Sequence, residues 1–301
     1  MDRQLTEEER IEQRKKFVRP EKNHTHHPSF YFRKLIIWAV LMVFLAMPKI
    51  IDYGTGIIGL HIGSKTDQEQ VPDPNTHQAP ILQVYAARTW GPKGIFAVHS
   101  WVAMKPQGAK RYEVSQVIGW RQDHHGNVLF RETNVPVNSW WGNEATLILD
   151  LRGDQAAPLI EKVDAAIQAY PWKHEYQLYP GPNSNTFVAW VGLQVPELGL
   201  DLPSTAIGKD WRPLENSFGP SASGTGIQAS LSGMLGLSLG LEEGLEMNIL
   251  GLNFELDMLD LAFELPLLGR YEIWYLIGYL ITWFYVRKWI KLMESKNWNL
   301  S

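Results

Sequence analysis

The sequence predicts an α+β protein held at a membrane: an antiparallel sheet with packed helices, then a Gly/Leu-rich β segment, with one or two transmembrane helices. Three observations carry this expectation. Segments rich in β-branched and aromatic residues with alternating polarity recur from 81 to 120. Apolar positions at Leu159, Ile160, Val163, Ala166 and Ile167 then repeat at three and four residues. Apolar runs at 35–47 and 273–286 carry basic residues on one flank each.

Residues 1–34 form a charged leader, with Lys22, Arg33 and Lys34 before the run LIIWAVLMVFLAM. That run rises only about 20 Å at ~1.5 Å per residue, short of the ~30 Å of bilayer hydrocarbon. The charge-poor continuation toward Leu60, with Lys49 snorkelling, completes a span, and an anchor over 35–53 is expected. The leader is too long for the n-region of a signal peptide. Basic residues before the span place the leader in the cytoplasm and the following domain on the far side.

The stretch 64–80, SKTDQEQVPDPNTHQAP, has almost no large apolar residue and reads as a linker to a main domain over 81–213. ILQVYAARTW, GIFAVHSWVAMK and YEVSQVIGW are three strands, and DHHGN is a hairpin turn in which Gly126 supplies a positive φ. Asp154 opens a helix to Ala169. After a loop with a short strand, a second helix runs from Asn185 to Gln194 and stops before Pro196. Residues 214–270 alternate in polarity over GIQASLSG and LNFELDMLDLAFEL, which predicts a solvated β-ribbon with one apolar face open to a membrane or a partner protein. Its recurring glycines lack the Lys and Ser/Thr of a phosphate-binding loop. Over 273–290, IWYLIGYLITWFYV precedes Arg287 and Lys288, so a second span would return the chain to the cytoplasm. A buried strand or interfacial helix is the alternative.

Composition narrows the partners. A net charge of -4, from 28 basic and 32 acidic residues, does not suit a nucleic-acid binder. Cysteine is absent, which removes disulfides, thiolate ligands and a thiol nucleophile together. Thirteen tryptophans suit a membrane-associated protein or an aromatic-lined groove. His24, His26 and His27 fall in the leader and His124 and His125 in the turn, so no metal or cofactor is expected. Trp140, Trp141 and Gly142 line either a groove or the core.

Two residues stand out for chemistry. His99 lies mid-strand among apolar neighbours, where a hydrogen-bonded core histidine is the ordinary outcome. Ser184 follows Pro180-Gly181-Pro182 and opens a helix, where free amides stabilise a developing anion, although Ser and Asn also serve there simply as caps.

The motifs QVYAARTWGPKGIFAVHSWVAMK, WWGNEATLILDLRG, YPGPNSNTFVAWV and VPELGLDLPSTAIGKDW, in this order, resemble the bacterial domain of unknown function numbered 3750. The resemblance implies a periplasmic or membrane-attached bacterial protein, with the main domain outside the inner membrane. A more distant resemblance runs to the circularly permuted papain-like fold of NlpC-type peptidases and lecithin retinol acyltransferase relatives. There His99 matches the strand histidine, and Asn183-Ser184-Asn185-Thr186-Phe187 matches the helix start with Ser184 in the cysteine position. It implies Ser184 as nucleophile, His99 as base, Glu113 orienting His99, and Asn183 or Asn185 donating to an oxyanion. The expected function is amide or ester hydrolysis or acyl transfer on an envelope substrate. The alternative is a catalytically silent binding or scaffold subunit of a membrane complex.

Overall fold

The structure, a computed structural model, describes residues 7–8, 71–136, 140–266 and 269–295. The chain forms two compact units, Met1–Gly54 and Thr55–Ser301, and every element below belongs to the second. The expected anchor at 35–53 lies outside the described residues.

ILQVYAAR is buried almost throughout and forms the strand β1 (Ile81–Arg88). β2 (Val98–Lys105) and β5 (Ala145–Arg152) pair with it antiparallel on either side. β3 (Glu113–Val117) and β4 (Leu129–Thr133) continue beyond β2, so the order is β4-β3-β2-β1-β5. Because successive side chains point to opposite faces, the sheet makes two cores. Leu82, Val84, Val102 and Met104 pack on one face with the helices α2 (Ala157–Gln168) and α3 (Ser184–Gln194). Tyr85, Ala87, Trp101, Ala103 and Val114 make a smaller cluster on the other, covered by Trp140 and Leu147.

The expected hairpin turn at DHHGN is instead a short helix, α1 (Arg121–His125). Gly126 does take a positive φ of 63°, as the left-handed residue that ends this helix. Helix α2 buries Leu159, Val163, Ala166 and Ile167, after a 3-10 turn at Gly153–Gln155. Helix α3 is buried over most of its length and stops where Pro196 disfavours helical backbone at Val195. The segment between α2 and α3 contains no strand.

From 218 the chain forms a seven-stranded antiparallel meander: β6 (Phe218–Pro220), β7 (Ile227–Leu231), β8 (Leu235–Gly240), β9 (Gly244–Ile249), β10 (Leu252–Asp257), β11 (Ala262–Leu265) and β12 (Gly269–Glu272). Each strand pairs with its neighbours in sequence. A helix, α4 (Ile273–Ser295), follows β12 directly.

The architecture therefore corrects the α+β, permuted papain-like expectation. Among the described residues, twelve strands in two antiparallel sheets dominate and the helices are few. The reason lies in residues 214–272, which supply seven of those strands. The expected second span is corrected as well. No helix among the described residues is long and apolar enough to cross a membrane. The uncharged part of α4, 273–286, rises only about 21 Å at ~1.5 Å per residue, and Arg287, Lys288, Lys291 and Glu294 occupy the rest.

Candidate functional site

The start of α3 is built around two asparagines. The side chain of Asn183 is the helix cap: its Oδ1 accepts from the backbone N–H groups of Asn185 at 2.9 Å and Thr186 at 3.2 Å. Thr186 Oγ1 accepts from the Asn183 N–H in return, completing a capping box. Asn183 Nδ2 donates to the carbonyls of Leu178 and Ile207. Asn185 Nδ2 donates to the carbonyls of Val98 and Ile207, and its Oδ1 accepts from Ser100 Oγ at 2.9 Å. Every side-chain polar atom of both asparagines is thus engaged, and neither is free to hold an oxyanion. Together they tie the helix to β2 and to the loop around Ile207. Gly208 completes this clamp, since its φ is 88° and a Cβ there would lie 2.6 Å from Asn183 Nδ2.

Ser184 is buried at the first turn of α3. Ser100 Oγ lies 3.5 Å from its backbone carbonyl, so the β2 side chain facing Ser184 is Ser100. His99 is the next residue on β2 and points to the opposite face. There its ring stacks on Trp140 with centroids 3.7 Å apart, and Trp140 stacks in turn on the exposed Trp120. His99 Nε2 donates to Gln116 Oε1 at 2.9 Å, which fixes the tautomer. Burial holds its pKa down at about 4, against a small opposing effect of the Gln116 hydrogen bond. His99 is a buried neutral aromatic ring with the sheet between it and Ser184.

Glu113 does not orient His99. It shares the helix-side face of Met104 and bonds Arg131, which also reaches Asp164 on α2. The partner of His99 is Gln116, which the sequence reading did not single out. Its position three residues beyond Glu113, on the other face of β3, was the available signal.

The most unusual surface is on the meander. In β7 to β10 the polar side chains point inward and the apolar ones outward. Gln228, Ser230, Ser238, Glu246, Asn248, Asn253 and Glu255 are buried, while Ile227, Leu231, Leu237, Leu239, Met247 and Ile249 are exposed. On β9 the contrast is sharp: Glu246 is 6% and Asn248 4% exposed, against 43% for Met247.

The polar face is covered by the loop that follows α3. Asn248 Nδ2 donates to Asp210 Oδ2 at 2.8 Å, Gln228 Nε2 to the Asp210 carbonyl, and Asn253 Nδ2 to the Ser204 carbonyl. A Cβ at Gly236 would stand 2.2 Å from Asp210 Oδ2, so the strand requires glycine where the carboxylate arrives. Lys209 bonds Glu246 and the Leu202 carbonyl. Burial opposes its charge, but the carboxylates of Glu246, Asp201 and Glu255 outweigh burial and hold its pKa above the ordinary lysine value. The acids are more numerous than the cation can neutralise. Burial raises Glu246 despite its contact with Lys209, raises Asp201 to about 7, and raises Glu255 to about 8. Among the described residues no group of three or more acidic or histidine side chains is arranged to hold a metal ion.

These features define a predominantly β protein in which a polar interface carries a second sheet whose apolar face is open. Residues 79–211 match the family described as "Protein of unknown function (DUF3750)", and this segment belongs to that family. The match covers the five-stranded sheet, α2, α3 and the loop through Lys209 and Asp210, and it ends before the meander begins. The chain matches no curated protein and no solved structure.

Proposed function

We propose that this is a catalytically silent binding protein of the bacterial cell envelope, and that its working surface is the apolar face of the meander sheet. The observation that carries the reading is the inversion of polarity in β7 to β10. Sequestering Glu246, Asn248, Asn253 and Glu255 beneath the loop while leaving Leu237, Leu239, Met247 and Ile249 in solvent is unfavourable for an isolated molecule, by roughly 25 cal/mol for each Å² of apolar surface left wet. It becomes favourable when something apolar covers the face. The four inverted strands, about 4.8 Å apart and five or six residues long, make a face of order 350 Å² in projection, the size of the largest apolar patches that monomeric proteins expose. The apolar run at 35–47 behind Arg33 and Lys34 supports the same location.

The test is a Leu237→Ser/Met247→Ser variant. Both side chains are about half exposed, so the expected thermal midpoint is close to that of the parent, while binding of the surface dye anilinonaphthalene sulfonate drops by at least half. Cooperative unfolding at a much lower temperature would mean that the face is a core, and unchanged dye binding would mean that it is not an accessible surface. Either result overturns the reading.

A further inference from the structure

We infer that the apolar face of the meander docks on a lipid bilayer, lying in the interface as a monotopic sheet; this rests on the reading that the face is the working surface. Three observations select lipid over a protein partner.

The first is the chemistry of the face. Ile227, Ala229, Leu231, Leu235, Leu237, Leu239, Leu245, Met247, Ile249, Leu252, Phe254 and Leu256 occupy its positions in β7 to β10, with no charge, Arg, Trp or Tyr among them. Protein–protein interfaces are enriched in Tyr, Trp and Arg, carry about one hydrogen bond per 100–200 Å², and end in a polar rim. An aliphatic face without donors or acceptors suits hydrocarbon, which offers none.

The second is at the hairpin tips. Leu250 has φ 53° and is 60% exposed, and Leu261 has φ 50° and is 51% exposed. The left-handed region is where Gly or Asn is favoured, and a leucine there costs roughly 1–2 kcal/mol. The turn Leu250-Gly251 is a two-residue hairpin loop with positive φ at both positions, where Asn-Gly is the ordinary solution. Met258 and Leu259 are more than half exposed at the opposite end of the sheet. Backbone strain is therefore accepted at the tips to place aliphatic side chains in what would otherwise be water.

The third is continuity. Helix α4 begins directly after β12, with Trp274, Phe284 and Tyr285 exposed, and Arg287, Lys288 and Lys291 follow. The amphipathic rings of Trp274 and Tyr285 suit the headgroup level, and clustered cations complement an anionic lipid surface.

The absence of cysteine makes the test direct, because single cysteines introduced into the full chain label uniquely. Leu237→Cys and Met247→Cys report from the face, and Lys162→Cys on α2 is the reference. Each is labelled with an environment-sensitive fluorophore and mixed with phosphatidylglycerol/phosphatidylcholine vesicles containing doxyl-labelled lipid. Probes at 237 and 247 are expected to shift to the blue and to be quenched at least twofold by the doxyl lipid, with the 162 probe unchanged. Probes at 237 and 247 that are shielded from water but indifferent to doxyl lipid, in a preparation that sizes as a dimer, would replace the bilayer by a second copy of the chain. That outcome overturns the lipid assignment and leaves the binding surface standing. Probes that remain fully hydrated with and without vesicles would overturn both.

Discussion

The imidazole of His99 lies parallel to the indole of Trp140, with ring centroids 3.7 Å apart and planes within 7°, while its Nε2 donates to Gln116. The pairing removes His99 from any role opposite Ser184 and makes it a stability element with a defined pH signature. Its folded pKa of about 4 is below the ordinary 6.5, so between those values the unfolded chain takes up a proton that the native protein refuses. The contribution is present above about 6.5 and is lost as pH falls toward 4. A His99→Phe variant, which retains the stack, is expected to lose several degrees less in Tm than the parent between pH 7 and pH 4.5. Parallel Tm curves would show that His99 is not buried neutral.

The acids beneath the meander act in the opposite sense. Burial raises Asp201 to about 7 and Glu255 to about 8, with Lys209 partly opposing, and both values exceed those of the unfolded chain. Native protein therefore holds protons that unfolded chain has released, so stability falls as pH rises from about 4 to about 8. An Asp201→Asn/Glu255→Gln variant is expected to flatten the decline in Tm between pH 5.5 and pH 8.5. A variant as pH-sensitive as the parent would contradict the assignment.

Lys209 is the only cation bonded to Glu246 in this buried cluster among the described residues. Lys209→Met should destabilise by about 3–5 kcal/mol in denaturant titration, the usual consequence of leaving a buried partner charge alone. The double variant Lys209→Met/Glu246→Leu should recover most of that loss. If the single variant costs under about 1 kcal/mol, the pair does not hold the sheet to its loop.

At the start of α3, Asn185→Ala removes bonds to two backbone carbonyls and to Ser100, and a loss of about 2–4 kcal/mol follows from buried groups left unsatisfied. Ser184→Ala should cost less than about 1 kcal/mol by the same measurement, since its hydroxyl carries none of these bonds. A reversal of that order would restore Ser184 as the residue around which the motif is built.

The strands at 81–88, 98–105 and 113–117 were legible because β-branched and aromatic residues cluster between turn formers, α2 because of its apolar periodicity, and α3 because of the capping residues before it and the Pro beyond it. Two things were not. Alternation in GIQASLSG and LNFELDMLDLAFEL reveals two faces, but which one is buried depends on Lys209, Asp210 and Ser204 arriving from the preceding loop, a long-range contact no local pattern encodes. Likewise, the order His99 then Ser184 fits a catalytic pair until parity is counted: Ser100, not His99, faces the helix. A strand position is assigned a face only when its neighbour's partner is known, and that partner lies on α3.

A sheet with so greasy a face invites further strands at its edges, the route to a fibre. Its borders prevent this. β6 is three residues long and ends in Pro220, which has no N–H to donate, and β12 is four residues long and turns at once into α4. Short, proline-terminated or helix-capped borders do not template an incoming strand. The meander is therefore sticky in one direction alone, perpendicular to its own plane, and can adhere to a surface without polymerising along it.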